Sequence, residues 1–233
     1  MKSPTLITFA QTIFTLLLFL IGILILGIAL YPSLLFIFWV WAKVASLTIP
    51  LKIFILSLSL VFAYFLFGVI LIFVVSFFHA ILPIRQREGE FPISSPEILK
   101  WMFVNALFLA VKVTFMDFIL LTPFCPFFYQ MMGAKIGANV QINSKNVADI
   151  ALLEIGDNAV IGGNATVICH SFEKNGLHLK KVKIGRGVII GLNSVIFPGA
   201  EIGEKAVIAA GAIVPKGTKI EAGAVYFGPK EKS

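Results

Sequence analysis

From Ile184 to Val225 the chain reads IGRGVI, IGLNSV, IFPGAE, IGEKAV, IAAGAI, VPKGTK, IEAGAV. Every block of six opens on an aliphatic residue. Its fifth place holds Val188, Ser194, Ala200, Ala206, Ala212, Thr218 and Ala224, all small or β-branched, and glycine recurs at the second or fourth place. An α-helix of 3.6 residues per turn would smear such a repeat around its surface, so the period predicts short strands separated by turns. The opening aliphatic residue is expected to fill an interior and the small fifth residue to let the chain pass a corner. Glycine would supply backbone angles that other residues disfavour.

The same register appears upstream in IGANVQ from Ile136 and in IGDNAV, IGGNAT and VICHSF from Ile155. After VICHSF it lapses through EKNGLHLKKVK and resumes at Ile184. A loop of about ten residues should therefore leave the scaffold here, and long loops on rigid scaffolds often carry function. His170 stands at the base of this loop. An imidazole among aliphatic repeats costs stability unless it is paired or partly exposed, and histidine is the usual general base near neutral pH. His170 is the candidate catalytic residue. His178, inside the loop, is the weaker one. Cys169 invites a Cys–His reading, but adjacent strand residues point to opposite faces, so it is expected to pack inside.

The first half is a different kind of sequence. The chain is 58% hydrophobic with 23 Phe, more apolar surface than one soluble core of 233 residues hides, and all 12 acidic residues follow Arg85. Leu6 to Leu30 is uncharged and long enough to cross a hydrocarbon core of about 30 Å, and it reads as a retained span rather than a cleaved leader. Ile53 to Leu82 is a second uncharged run. Between them, an apolar segment bounded by Pro32 and Pro50 carries Trp39, Trp41 and Lys43 as interfacial anchors and reads as a continuation beyond a kink or a re-entrant segment. Arg85, Arg87, Lys100 and Lys112 against Lys43 and Lys52 predict that the repeat half faces the cytoplasm of a multi-pass inner-membrane protein. Pro96 to Gln130 is apolar but interrupted by Lys100, Lys112 and Asp117. It is expected as an interfacial helix ending at Pro123, since each charge at mid-bilayer costs about 2.5 to 3.5 kcal/mol.

The resulting organisation is a transmembrane region over 1–90, an interfacial helix and linker over 91–131, a repeat domain over 132–228 and a tail over 229–233. The net charge of +7 is carried by dispersed lysines without a nucleic-acid recognition motif, and suits anionic headgroups or phosphorylated cofactors instead. Two cysteines, Cys125 and Cys169, lie in different regions and fit a reducing compartment.

These repeats resemble the left-handed parallel β-helix of the hexapeptide-repeat acyltransferases. A succession of PFCP (Pro123 to Pro126), GAKIG (Gly133 to Gly137), EIGD (Glu154 to Asp157) and HSFE (His170 to Glu173) is similar to the membrane-attached C-terminal region of polylysine-synthetase-like enzymes. The resemblance covers about residues 96 to 228. It implies an all-β left-handed parallel β-helix that trimerises, joined here to the membrane α-helical N-terminal half, whose spans the resemblance leaves unassigned. It also implies His170 as general base for direct acyl transfer from acyl-CoA or an acyl or aminoacyl carrier protein to a hydroxyl or amine. Donor binding would lie between neighbouring prisms, with Asn193, Ser194, Ala210, Gly211, Lys216 and Lys219 as candidates. No metal is implied. Two alternatives stand beside it: a non-catalytic trimeric membrane scaffold, and a γ-type carbonic-anhydrase-like metal enzyme. The latter needs three histidines where the repeat half offers His170 and His178.

Overall fold

The computed structural model describes residues 4–82 and 84–229, with the side chains of 4–8 and 10 left aside. The tail expected over 229–233 lies outside the described residues apart from Pro229. The chain forms two compact units, one of residues 1–78 and 106–114, the other of residues 79–105 and 115–233.

The helical unit is built on α1 (Pro4–Lys43) and α2 (Ile49–Ile81). Both contain stretches of 33 residues long and apolar enough to cross a membrane. At 1.5 Å per residue each such stretch is about 50 Å long, more than a hydrocarbon core needs. Of the two expectations for the segment after Pro32, the structure has the continuation: Pro32 lies within α1 and the helix runs on to Lys43. Pro50 falls in the first turn of α2, where a missing N–H leaves no bond unmade.

The segment after Pro96 differs from the single helix expected. α3 (Pro96–Thr114) is followed by the short α4 (Met116–Ile119) and by α5 (Phe124–Met131). Pro123 caps the start of α5 instead of ending a helix. The break comes from Leu120, extended at ψ 143°, and Leu121, held in the left-handed region at φ 60°. The Leu121 N–H donates to the Ile142 carbonyl, so the helix is exchanged for a bond to the first repeat coil. Met116, Ile119, Cys125, Phe128, Tyr129 and Met132 are buried in this segment. Burial pushes the Cys125 thiol up to about 12.

The repeat domain is a parallel β-helix. Coil 1 is β2 (Lys135–Ile136), β3 (Gln141–Ile142) and a single bridge at Val147; coil 2 is β4 (Leu153–Ile155), β5 (Val160–Ile161) and β6 (Thr166–Val167). An excursion, β7 (His170–Glu173) and β8 (Gly176–Leu179), then leaves the prism. Coil 3 is β9 (Val182–Ile184), β10 (Ile189–Ile190) and β11 (Val195–Ile196); coil 4 is β12 (Glu201–Ile202), β13 (Val207–Ile208) and β14 (Ile213–Val214). Coil 5 is β15 (Lys219–Ile220) and β16 (Val225–Tyr226). The first, second and third strands of successive coils pair in parallel to make three faces.

Stacked partners in the late coils are 18 residues apart, as in Ile184, Ile202 and Ile220 or Ile190 and Ile208. Three blocks of six thus make one turn. The opening residues Ile184, Ile190, Ile196, Ile202, Ile208, Val214 and Ile220 are all buried, as the period requires. So are the fifth-place residues Val188, Ser194, Ala200, Ala206 and Ala212. The second-place glycines are needed for close approach: a Cβ on Gly203 would stand 2.5 Å from the Ala222 nitrogen of the next coil. At another corner the backbone is left-handed at Asn164 and Asn193, and their amides form a file, Asn146 to Asn164 at 2.6 Å and Asn164 to Asn193 at 3.0 Å.

Candidate functional site

The excursion expected after His170 is not an irregular loop. β7 and β8 form an antiparallel hairpin across Lys174 and Asn175, and β1 (Gly89–Phe91) pairs with the other edge of β8. In this three-stranded sheet His170 lies opposite Leu179 and Gly89, while Ser171 lies opposite His178 and Glu90. Because side chains alternate along a strand, His170 and His178 project from opposite faces.

His170 is oriented by a residue that the sequence reading did not find. Its Nδ1 lies 2.6 Å from Oδ2 of Asp149, which is 1% exposed. The same carboxylate accepts the Trp101 Nε1–H at 2.6 Å, the Asn105 Nδ2–H at 3.4 Å and the Cys169 backbone N–H at 3.2 Å. A buried carboxylate needs such saturation, because its lone pairs have lost water. Trp and backbone N–H groups are obligate donors, so Asp149 is the acceptor of this cluster, and the His170 proton belongs on Nδ1. Nε2 is then the basic nitrogen. The His170 side chain keeps 25% of its surface exposed, and its Nε2 makes no hydrogen bond to a described residue.

Local folding brings these groups together. The bridge between Val147 and Val167 sets the two chain segments side by side, so that two residues further on Asp149 meets Cys169 and His170. Asp149 adopts a left-handed backbone (φ 57°), which Asp tolerates better than most residues, before the 3-10 turn Ile150–Leu152. Trp101, on the N-terminal half of α3, lies edge-on to His170 with ring centroids 5.0 Å apart and contacts Phe172 at 5.6 Å. The imidazole therefore sits in an aromatic corner with one nitrogen fixed and the other open.

Cys169 is fully buried, its thiol directed at the Leu152 carbonyl 3.7 Å away, and burial together with Asp149 pushes its pKa up. It has the chemistry of a packed side chain. His178 Nδ1 lies 3.5 Å from Glu90, and its Nε2 is buried without a hydrogen-bond partner among the described residues. Among the described residues no three His, Cys, Asp or Glu side chains are grouped to hold a metal ion.

The other candidates fall in three places. Lys216 stands at the corner of the hairpin, its Nζ 2.7 Å from Glu173, whose carboxyl it holds below the usual range. Asn193, Ala210 and Gly211 lie at a different corner, between the second and third faces, and Asn193 is engaged in the asparagine file. Ser194 is fully buried, and its hydroxyl donates to the Gly191 carbonyl at 2.8 Å. Lys219 is on the first face, paired with Glu201 at 3.0 Å. That face carries a shallow groove of about 840 Å³ lined by the paired Lys135, Glu154, Lys183, Glu201 and Lys219. Within one chain, only Lys216 of these six is brought to the His170 hairpin.

A repeat prism interrupted by a hairpin that presents a carboxylate-held imidazole defines a class. The hexapeptide repeat of succinyl-transferase matches residues 153–172 and 181–216, and the gap between the two blocks holds the turn and the second strand of the hairpin. The putative acetyltransferase YvoF of Bacillus subtilis (strain 168) is 30% identical over 129 residues, covering 51% of this chain and 74% of that protein. The chain belongs to the hexapeptide-repeat acyltransferase superfamily, and its prism is the left-handed parallel β-helix of that superfamily. It is also 24% identical over 145 residues to the delta-poly-L-ornithine synthetase of Acinetobacter baumannii (strain AB307-0294), covering 62% of this chain but only 11% of that protein. Among solved structures, the hexapeptide-repeat acetyltransferase VCA0836 from Vibrio cholerae aligns at 26% identity and a TM-score of 0.38, covering 42% of this chain and 60% of that one.

Proposed function

We propose that this chain transfers an acyl group from a thioester donor to a hydroxyl or amine acceptor at a membrane surface, with His170 as general base. The observation that carries the reading is the pair of His170 and buried Asp149 at the one excursion from the prism. His170 Nε2 takes the proton of the acceptor O–H or N–H as the oxygen or nitrogen bonds to the thioester carbonyl carbon. The tetrahedral oxyanion collapses, the C–S bond breaks, and the imidazolium returns the proton to the departing thiolate. Asp149 keeps the proton on Nδ1 and balances the imidazolium that forms between the two steps. The donor is acyl-CoA or an acyl or aminoacyl carrier protein, and family membership supports this thioester chemistry.

The remaining parts of the proposal are the setting and the assembly. α1 and α2 span an inner membrane, with the β-helix on the cytoplasmic side, a reading supported by their length and by the bias of Arg85, Arg87 and Lys100 towards the segment after α2. Three chains assemble side by side, the outer faces of their prisms in contact. Support comes from the outward residues of the second and third faces, Ile189, Ile213 and Val225, which are about half exposed and apolar. The scaffold alternative leaves the saturated Asp149 carboxylate without a purpose.

The test is purified protein in detergent, supplied with acetyl-CoA and hydroxyl or amine acceptors, with released thiol followed continuously. Acceptor-dependent thiol release that disappears in His170→Ala supports the reading. Equal release by both proteins overturns it and favours the scaffold.

A further inference from the structure

We propose that Gln86, with Arg85, Arg87 and Lys100, forms a subsite beside His170 for an oxyanion carried by the acceptor, next to its reacting hydroxyl or amine. The inference rests on the acyl-transfer reading and names the substrate class for that same site. Gln86 carries the argument. Both its Oε1 and its Nε2 are buried and have no hydrogen-bond partner among the described residues. Leaving both a donor and an acceptor of one buried amide unmet is costly, and native structures keep such orphans where something else satisfies them.

The amide borders a small void lined by Arg85, Arg87, Phe91, Glu97, Lys100, Trp101 and Leu179. Two of these residues belong to the surroundings of His170: Trp101 shares Asp149 with it, and Leu179 is its cross-strand partner. The void therefore borders two neighbours of His170, on the side of its Asp149 partner. Its volume is about 10 Å³, room for one oxygen atom. Three cations surround it and one carboxylate answers them. Glu97 is shared by Lys100 at 2.9 Å and Arg87 at 3.7 Å, and among the described residues Arg85 has no ion-pair partner.

Charge and hydrogen-bond valence together select the ligand. A net positive rim takes an oxyanion, and a guanidinium binds phosphate or carboxylate oxygens in a fixed fork. The Gln86 Nε2 donates to the one such oxygen that the void holds. Bulk of the ligand stays outside the void, among side chains that are themselves exposed, Arg87 at 74%. The bland alternative is a single trapped water on Gln86 with no role in binding.

The test reads binding without turnover. In the full chain carrying Trp39→Phe and Trp41→Phe, Trp101 is the only tryptophan left and reports on the void. Inorganic phosphate is titrated in one arm. Phosphatidylcholine vesicles with and without phosphatidylglycerol are titrated in the other. Saturable change of Trp101 emission is expected, weakened about tenfold or more by Gln86→Leu and by Arg85→Gln, and retained in His170→Ala. A response to phosphate assigns a soluble oxyanion, and a response confined to phosphatidylglycerol assigns a lipid headgroup. If neither probe changes the emission, or if Gln86→Leu binds as the parent does, the subsite is absent and Gln86 holds only a water. Thermal melting of Gln86→Leu, expected unchanged or raised, separates lost binding from lost folding. Failure of acyl transfer in the thiol assay leaves this binding result standing, so the two readings fail separately.

Discussion

Coils 3 to 5 and the junction between coils 2 and 3 are made from the same alphabet but obey different constraints. In the late coils stacked partners recur at 18 residues, and each block of six has an aliphatic opening residue and a small or β-branched fifth one. At the junction the spacing widens to 29, from Ile161 to Ile190, and the added chain is a hairpin with polar side chains on one face and His170 on the other. Where the period holds, every residue is answerable to its neighbours above and below. Where it fails, a side chain is free to meet a substrate. Regularity in this chain marks packing, and the break in it is where the proposed chemistry lies.

The largest expected effect separates the two histidines of the hairpin. His170→Ala should lower turnover by about 10² to 10⁴, which corresponds to roughly 3 to 5 kcal/mol of transition-state stabilisation. His178→Ala should stay within a few-fold of the parent, because it projects from the opposite face. Equal losses in steady-state assays would mean that the hairpin matters only as a folded unit.

Asp149→Asn is expected next. The amide keeps an acceptor for Trp101 but can no longer balance an imidazolium, so kcat should fall by more than tenfold and by less than in His170→Ala, with KM little changed. Denaturant titration should show a stability loss of about 1 to 3 kcal/mol from imperfectly met buried donors. An unchanged kcat would remove Asp149 from the mechanism.

The third prediction tests the regular region. Gly203→Ala forces a Cβ against the Ala222 backbone and should cost about 1 to 3 kcal/mol or more, whereas Gly211→Ala has open space around it. The latter pays only for its positive φ of 72°, about 1 kcal/mol. Comparable melting temperatures for the two variants would show that the second-place glycines are not required for close stacking.

The smallest effect is electrostatic. Lys181 and then Lys135 hold the Glu154 carboxyl below its ordinary value of 4.5. A lowered folded pKa contributes stability that is present above the unfolded value and lost as pH falls through the folded one. Glu154→Gln should therefore melt up to about 1 kcal/mol less stably than the parent at neutral pH and converge with it in acid below about pH 4.5. Parallel curves at all pH values would assign the glutamate no such linkage.

The short strands and their turns were legible because the repeat is written every six residues, and His170 drew notice where the writing stops; the prism itself, and most of the weight on His170, came from the family resemblance. The hairpin was less so. HSFE and GLHL are two short runs around Lys174–Asn175, a turn signal that the broken period obscured. Asp149 lies in the irregular NSKNVADIAL between coils, where no repeat register identifies a partner. Only the Val147–Val167 bridge, one coil apart, would have placed it beside His170. Trp101 and Gln86 come from segments with no repeat at all, and their approach to the site is a matter of tertiary packing alone. The helix stops between α4 and α5 where Leu121 turns left-handed and its N–H donates to the Ile142 carbonyl.

The outward file of the first face, Lys135, Glu154, Lys183, Glu201 and Lys219, alternates in sign from coil to coil. The backbone repeats every coil, but this file repeats only every second one. Loss or duplication of a single coil would bring like charges into register, while a change by two would restore the alternation. The domain thus carries a parity, and its length is expected to drift among descendants in pairs of turns.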